Sequence, residues 1–109
     1  MIRVFLIGEA KKVYLDLKNK KDKESRILIN SINRVIDLLK IDPFKGQPLN
    51  KKLIPKKFQK KEIKKLYRVE LSNFWRLLYT IESGKEIEIN IFILEILNHK
   101  KYNKLLGYK

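Results

Sequence analysis

The sequence predicts an α+β fold: an N-terminal strand, a two-helix hairpin, a three-stranded antiparallel meander packed on the helices, and a short C-terminal helix. Three observations predict it. Apolar residues between positions 10 and 41 recur at helical spacing, those between 66 and 97 alternate with a period of two, and one β-favouring run precedes both. The 109 residues contain no internal repeat and no Gly/Ser linker, so 1–109 reads as a single domain.

The run 2–7 (IRVFLI) is rich in β-favouring side chains and stops at Gly8. From Glu9 the period changes, with Ala10, Val13, Tyr14 and Leu17 on one helical face. The polar stretch 18–23 reads as a turn. A second helix follows over 22–41, with Leu28, Ile32, Val35, Ile36 and Leu39 as its stripe. Asp42-Pro43 ends it, because a residue before proline avoids the helical region. Residues 43–65 hold three prolines, Gly46 and nine lysines, and read as a mobile loop.

Over 66–72, Tyr67, Val69 and Leu71 share one face while Arg68 and Glu70 take the other. Over 74–81, Trp75, Leu77, Tyr79 and Ile81 oppose Phe74, Arg76, Leu78 and Thr80. Glu82-Ser83-Gly84-Lys85 supplies a hairpin turn. The run 86–97 alternates Ile87, Ile89, Ile91 and Ile93 against Glu86, Glu88 and Asn90, then turns apolar on both faces, as a central strand does. Asn98 suits a helix cap, and 98–106 a closing helix. The first strand needs a crossover through the helices and belongs beside the last strand.

Composition narrows the function. With no cysteine, disulfide frameworks and thiolate metal sites are excluded. One histidine and twelve scattered carboxylates do not suggest a metal cluster, and no metal is expected. The apolar run 2–7 is too short for a signal peptide or a membrane span, so the expectation is a cytoplasmic protein with no membrane partner. A net charge of +14 implies self-repulsion that an anionic partner would relieve. Lysine-rich compositional bias is the alternative. The charge is nevertheless uneven: Lys/Arg outnumber Asp/Glu ten to five over 1–41, ten to three over 42–71, and six to four over 72–109.

The lysines at 45, 51, 52, 56, 57, 60, 61, 64 and 65 are opposed within that stretch only by Glu62. Such a run either neutralises phosphates without reading bases or is a solvated loop. Arg68 and Arg76, on adjacent strands, offer planar forks for a phosphate or a carboxylate. The competing reading is a cross-strand ion pair with Glu70 or a glutamate of the last strand. Arg76, within Phe74-Trp75-Arg76, is either stacked or aimed into a concavity. His99 is the side chain best suited to proton transfer near neutral pH, or else a surface residue. Tyr102 donates to a phosphate or packs. No Ser/His/Asp set, Walker loop, zinc spacing or dinucleotide fingerprint is present.

Three blocks carry a family likeness: Leu66-Tyr67-Arg68-Val69-Glu70-Leu71, Trp75-Arg76-Leu77-Leu78-Tyr79, and Leu94-Glu95-Ile96-Leu97-Asn98-His99-Lys100-Lys101-Tyr102. Together with the element order they resemble the RelE/ParE superfamily of type II toxin–antitoxin toxins, RelE-like messenger-RNA interferases above all. The resemblance implies a ribosome-associated endoribonuclease that needs no metal or other cofactor. It implies as partners messenger RNA, the ribosome and an acidic antitoxin, with DNA met only through the antitoxin. It assigns catalytic roles to Arg76, as phosphate stabiliser, and to His99 and Tyr102, as candidates for proton transfer. Arg68 and Lys100 fall at basic positions of the family, and Lys51, Lys52 and Lys101 complete the expected RNA-binding set. Glu70 departs from the pattern, standing where the best-known RelE members are basic. The superfamily also holds ParE-like toxins that bind DNA gyrase without nuclease activity. That reading, and a basic RNA- or ribosome-binding module without activity, stay open.

Overall fold

The computed structural model describes residues 1–83 and 88–107. The strands are β1 (Ile2–Leu6), β2 (Gln47–Pro48), β3 (Tyr67–Glu70), β4 (Arg76–Ser83) and β5 (Ile89–Leu97). The helices are α1 (Gly8–Asn19), α2 (Lys23–Ile41), a four-residue α3 (Lys56–Gln59) and α4 (His99–Leu106). The α+β architecture is the expected one. The strands form a single sheet in the order β1-β5-β4-β3-β2. β3, β4 and β5 are the antiparallel meander, and β1 runs parallel to β5, pairing Ile2 with Ile89 and Leu6 with Ile93. Joining parallel neighbours requires a crossover, and α1 and α2 begin it. Of the expected hairpin turn, Gly84 and Lys85 lie outside the described residues, as do Glu86 and Ile87 of the last run.

One sheet face carries the larger core. Leu17 of α1 and Leu28, Ile32, Val35 and Leu39 of α2 pack there on Leu77, Tyr79, Ile91, Ile93 and Ile96. Burying each such aliphatic chain contributes about 1.5–3 kcal/mol before entropic costs. The α1–α2 turn is tighter than 18–23, since Asp22 caps α2. Its carboxylate accepts from the Ser25 backbone N–H at 3.0 Å and the Ser25 hydroxyl at 2.8 Å, and these bonds hold its pKa below the usual carboxylate range.

Residues 43–65 are not a mobile loop. They supply β2, a 3-10 turn (Lys51–Leu53) and α3, and they bury Ile54 and Phe58 in a second core on the opposite sheet face. Leu66, Leu78 and Leu94 meet them there, together with Tyr102 and Leu106 of α4. Four apolar side chains, Leu49, Ile54, Phe58 and Ile63, anchor a segment whose lysines face solvent. Gly46 begins this return. A Cβ at Gly46 would stand 2.7 Å from the Tyr79 ring and hydroxyl, so only glycine fits there. The Gly46 N–H donates to the Tyr79 hydroxyl at 2.9 Å, and that hydroxyl donates to the Pro43 carbonyl at 2.8 Å. Burial pushes the Tyr79 phenol up to about 12.

β5 carries a bulge. Leu78 pairs with Glu95 and Tyr79 with Ile93, so Leu94 has no partner of its own. The extra residue changes the strand's parity. Ile89, Ile91 and Ile93 face the helices, but Glu95 turns to the second face and Ile96 takes the core position.

Candidate functional site

The second sheet face gathers most of the polar side chains of interest. β3 and β4 set Glu70 opposite Arg76 and Arg68 opposite Leu78, and β4 sets Arg76 opposite Leu97 and Leu78 opposite Glu95. β2 adds Gln47 opposite Arg68. Alternation places Arg68, Glu70, Arg76 and Leu78 on the face away from α1 and α2.

α4 lies over this face and presents Tyr102, only 3% exposed. It begins at Asn98, whose side chain accepts from the Lys101 N–H at 2.9 Å, and ends at Gly107 in the left-handed region (φ 78°). Arg68 Nη1 donates to the Tyr102 hydroxyl at 3.1 Å, while its Nη2 donates to Gln47 Oε1 at 2.5 Å. Both guanidinium groups lie against the Tyr102 ring, at 5.9 Å for Arg68 and 5.5 Å for Arg76. Arg76 is therefore stacked. Its side chain is 14% exposed, and its Nη1 donates to the Phe74 carbonyl at 2.7 Å. Its Nε is buried with no hydrogen-bond partner among the described residues. Glu70 Oε1, at 3.9 Å, is close enough for an ion pair and too far for a hydrogen bond. Two cations at one phenol concentrate positive charge on this face, and guanidinium groups are suited to oxyanions.

The other sequence candidates are distributed around this cluster. His99 begins α4, one turn before Tyr102, and its Nε2 contacts Asn103 Nδ2 at 3.3 Å. His99 and Lys100 line a shallow cleft of about 430 Å³ with Asn73, Phe74 and Asn98; Arg76 does not line it. Lys101 lines a different cleft, against Asp16, Asp22 and Trp75 on the helix-hairpin side. Lys51 lines a third, beside Ile54 and Ile63, with exposed Lys52 next to it in the chain. The structure thus brings Arg68, Arg76 and Tyr102 together, sets His99 and Lys100 beside them across Phe74, and directs Lys51, Lys52 and Lys101 elsewhere.

No family model, no curated protein and no solved structure matches this chain.

Sequence reasoning missed two features of the site. The first is Glu95, 5% exposed, which accepts from Lys57 Nζ of α3 at 2.5 Å and so fastens the lysine segment to the sheet. The second is the turn before β4. Asn73 and Phe74 both adopt left-handed backbone (φ 57° and 63°), and Phe74 is 73% exposed. An aromatic residue there costs on the order of 1–3 kcal/mol and needs support from its surroundings. The Leu71 N–H to Trp75 carbonyl bond (2.8 Å), the Ser72 N–H to Ser31 Oγ bond (3.1 Å) and the Arg76 bond to Phe74 provide it. The polar Ser72-Asn73 pair before two aromatic residues signals a turn, but not its hand.

Proposed function

We propose that this protein is the toxin of a type II toxin–antitoxin system, acting in the cytoplasm as a ribosome-associated endoribonuclease on messenger RNA. The observation that carries the reading is the placement of both Arg68 and Arg76 against Tyr102, on one sheet face of a chain with net charge +14. The blocks around Arg68, Arg76 and His99 that resemble the RelE/ParE superfamily support it as well.

In this reading the ribose 2′-hydroxyl attacks the adjacent phosphorus, and the P–O5′ bond breaks. The products are a 2′,3′-cyclic phosphate and a 5′-hydroxyl. A base takes the 2′-hydroxyl proton and an acid supplies one to the departing 5′-oxygen. His99 is the first candidate for one of these roles and Tyr102 the second. Arg76, with Arg68 beside it, stabilises the charge that builds on the non-bridging oxygens. The lysines of 45–65 and Lys100 attract the RNA backbone. The same positive surface takes an acidic antitoxin, which silences the enzyme by covering it.

One observation favours a second reading. The cleft of His99 does not include Arg76, and Glu70 puts a carboxylate beside the arginine. A ParE-like toxin that binds DNA gyrase needs no proton-transfer pair. Primer extension on messenger RNA after induced expression separates the two. Cleavage within translated frames, abolished by both Arg76→Ala and His99→Ala, is expected of the nuclease; growth arrest with intact RNA overturns it in favour of gyrase.

A further inference from the structure

Phe74 is a large apolar ring held in solvent, on a left-handed backbone that its neighbours support with three hydrogen bonds. Packing does not explain it, because the ring is 73% exposed. Its surroundings are specific. The His99 ring meets it edge-on, with centroids 6.5 Å apart and planes at 64°, and the two share their cleft with Asn73, Asn98 and Lys100. No carboxylate lines that cleft among the described residues. The Phe74 carbonyl accepts from Arg76 Nη1, so the backbone that carries the ring is tied to the guanidinium two residues on.

We infer that Phe74 and His99 form a stacking subsite for one unpaired nucleobase, next to the phosphate position at Arg76. The inference rests on the RNA reading above and specifies the form of the substrate. A base lying flat on Phe74 presents its edge to His99, with the Asn73 and Asn98 amides at hand to hydrogen-bond a base edge. Its own phosphate then falls between Lys100 and Arg76. Every base has a π-face, so such a platform accepts single strands with little sequence preference. A duplex cannot use it, because its bases are already stacked on one another. The backbone strain has a role in this arrangement: it points the ring outward from a rigid turn, so binding orders little that was free beforehand.

The test uses the full chain and two fluorescent single-stranded probes of about ten nucleotides. One is a 2′-O-methyl RNA, which cannot be cleaved by 2′-hydroxyl attack, and the other is its abasic counterpart. Wild-type protein is expected to bind the base-bearing probe more tightly than the abasic one. Phe74→Ala should weaken the base-bearing probe by roughly 5- to 150-fold, the loss of one base–aromatic stack, and leave the abasic probe unchanged. Phe74→Trp should restore binding. Equal affinities of wild type and Phe74→Ala for the base-bearing probe overturn the subsite and leave the RNA reading standing. Failure of wild type to bind either probe overturns both. A Phe74→Ala variant with wild-type RNA affinity that has lost a protein partner assigns the ring to a protein interface instead.

Discussion

Arg68 Nη1 donates to the Tyr102 hydroxyl at 3.1 Å, tying an inner strand of the sheet to the C-terminal helix across 34 residues of sequence. The same phenol lies under Arg76. Tyr102 is thus the piece that both closes the second core and sets the spacing of the two guanidinium groups.

Replacing Tyr102 by Phe keeps the ring and removes the acceptor. Stability is expected to fall by about 1 kcal/mol, the usual net value of such a bond. RNA cleavage should fall by more than about 10-fold, since the Arg68 fork loses its positioning bond. Denaturant unfolding together with cleavage of a translated messenger checks both effects.

Gly46→Ala should destabilise the fold by about 1–3 kcal/mol, because its Cβ meets the Tyr79 ring and hydroxyl at 2.7 Å and the Arg68 carbonyl at 3.1 Å. Tyr79→Phe should cost a similar ~1–3 kcal/mol by leaving the Gly46 N–H and the Pro43 carbonyl unpaired. Combined, the two should cost less than their sum, because they disturb one contact. Urea midpoints of the three variants test this.

The fold and the site were legible to different depths. Alternation over 66–81 gave the correct faces for Arg68, Leu77, Leu78 and Tyr79, since a strand has only two sides. The first strand's place beside the last followed from the crossover it needs. Glu95 was not legible: continued alternation from Ile93 would turn it toward the helices, and a bulge at Leu94 leaves no sequence mark. The second core under the lysines was hidden by composition, although Ile54 and Phe58 stand one helical turn apart. The Arg76–Tyr102 contact joins residues 26 positions apart on different elements, and only tertiary packing decides it.

The pH dependence of stability has a definite sign at Tyr79. Its phenol ionises near 10.0 when unfolded and at about 12 in the fold, so the folded state holds the proton more tightly. That contribution is complete below pH 10 and is lost as pH rises toward 12. An absorbance titration of tyrosinate should show a step near 12 that Tyr79→Phe lacks.

Lys57 should differ from its neighbours. Lys57→Ala strands the buried Glu95 carboxylate and should cost about 1–3 kcal/mol, a range reduced because Lys57 itself is half exposed. Lys60→Ala and Lys61→Ala, at exposed positions, should change stability by less than about 0.5 kcal/mol. Unfolding curves at low and high salt check the contrast. Lys57→Ala with Glu95→Gln should recover part of the loss, since the pair is then removed together.

The most direct test of the central claim is the chemistry of the cut ends. Purified protein is incubated with ribosomes translating a defined messenger, under conditions that retain ribosomal magnesium, and the fragments are labelled by a polynucleotide kinase without prior phosphatase treatment. The account predicts fragments that label directly, as 5′-hydroxyl ends do, whose upstream partners end in 2′,3′-cyclic phosphate and which disappear with Arg76→Ala. Intact messenger, or fragments that label only after phosphatase treatment, would contradict it.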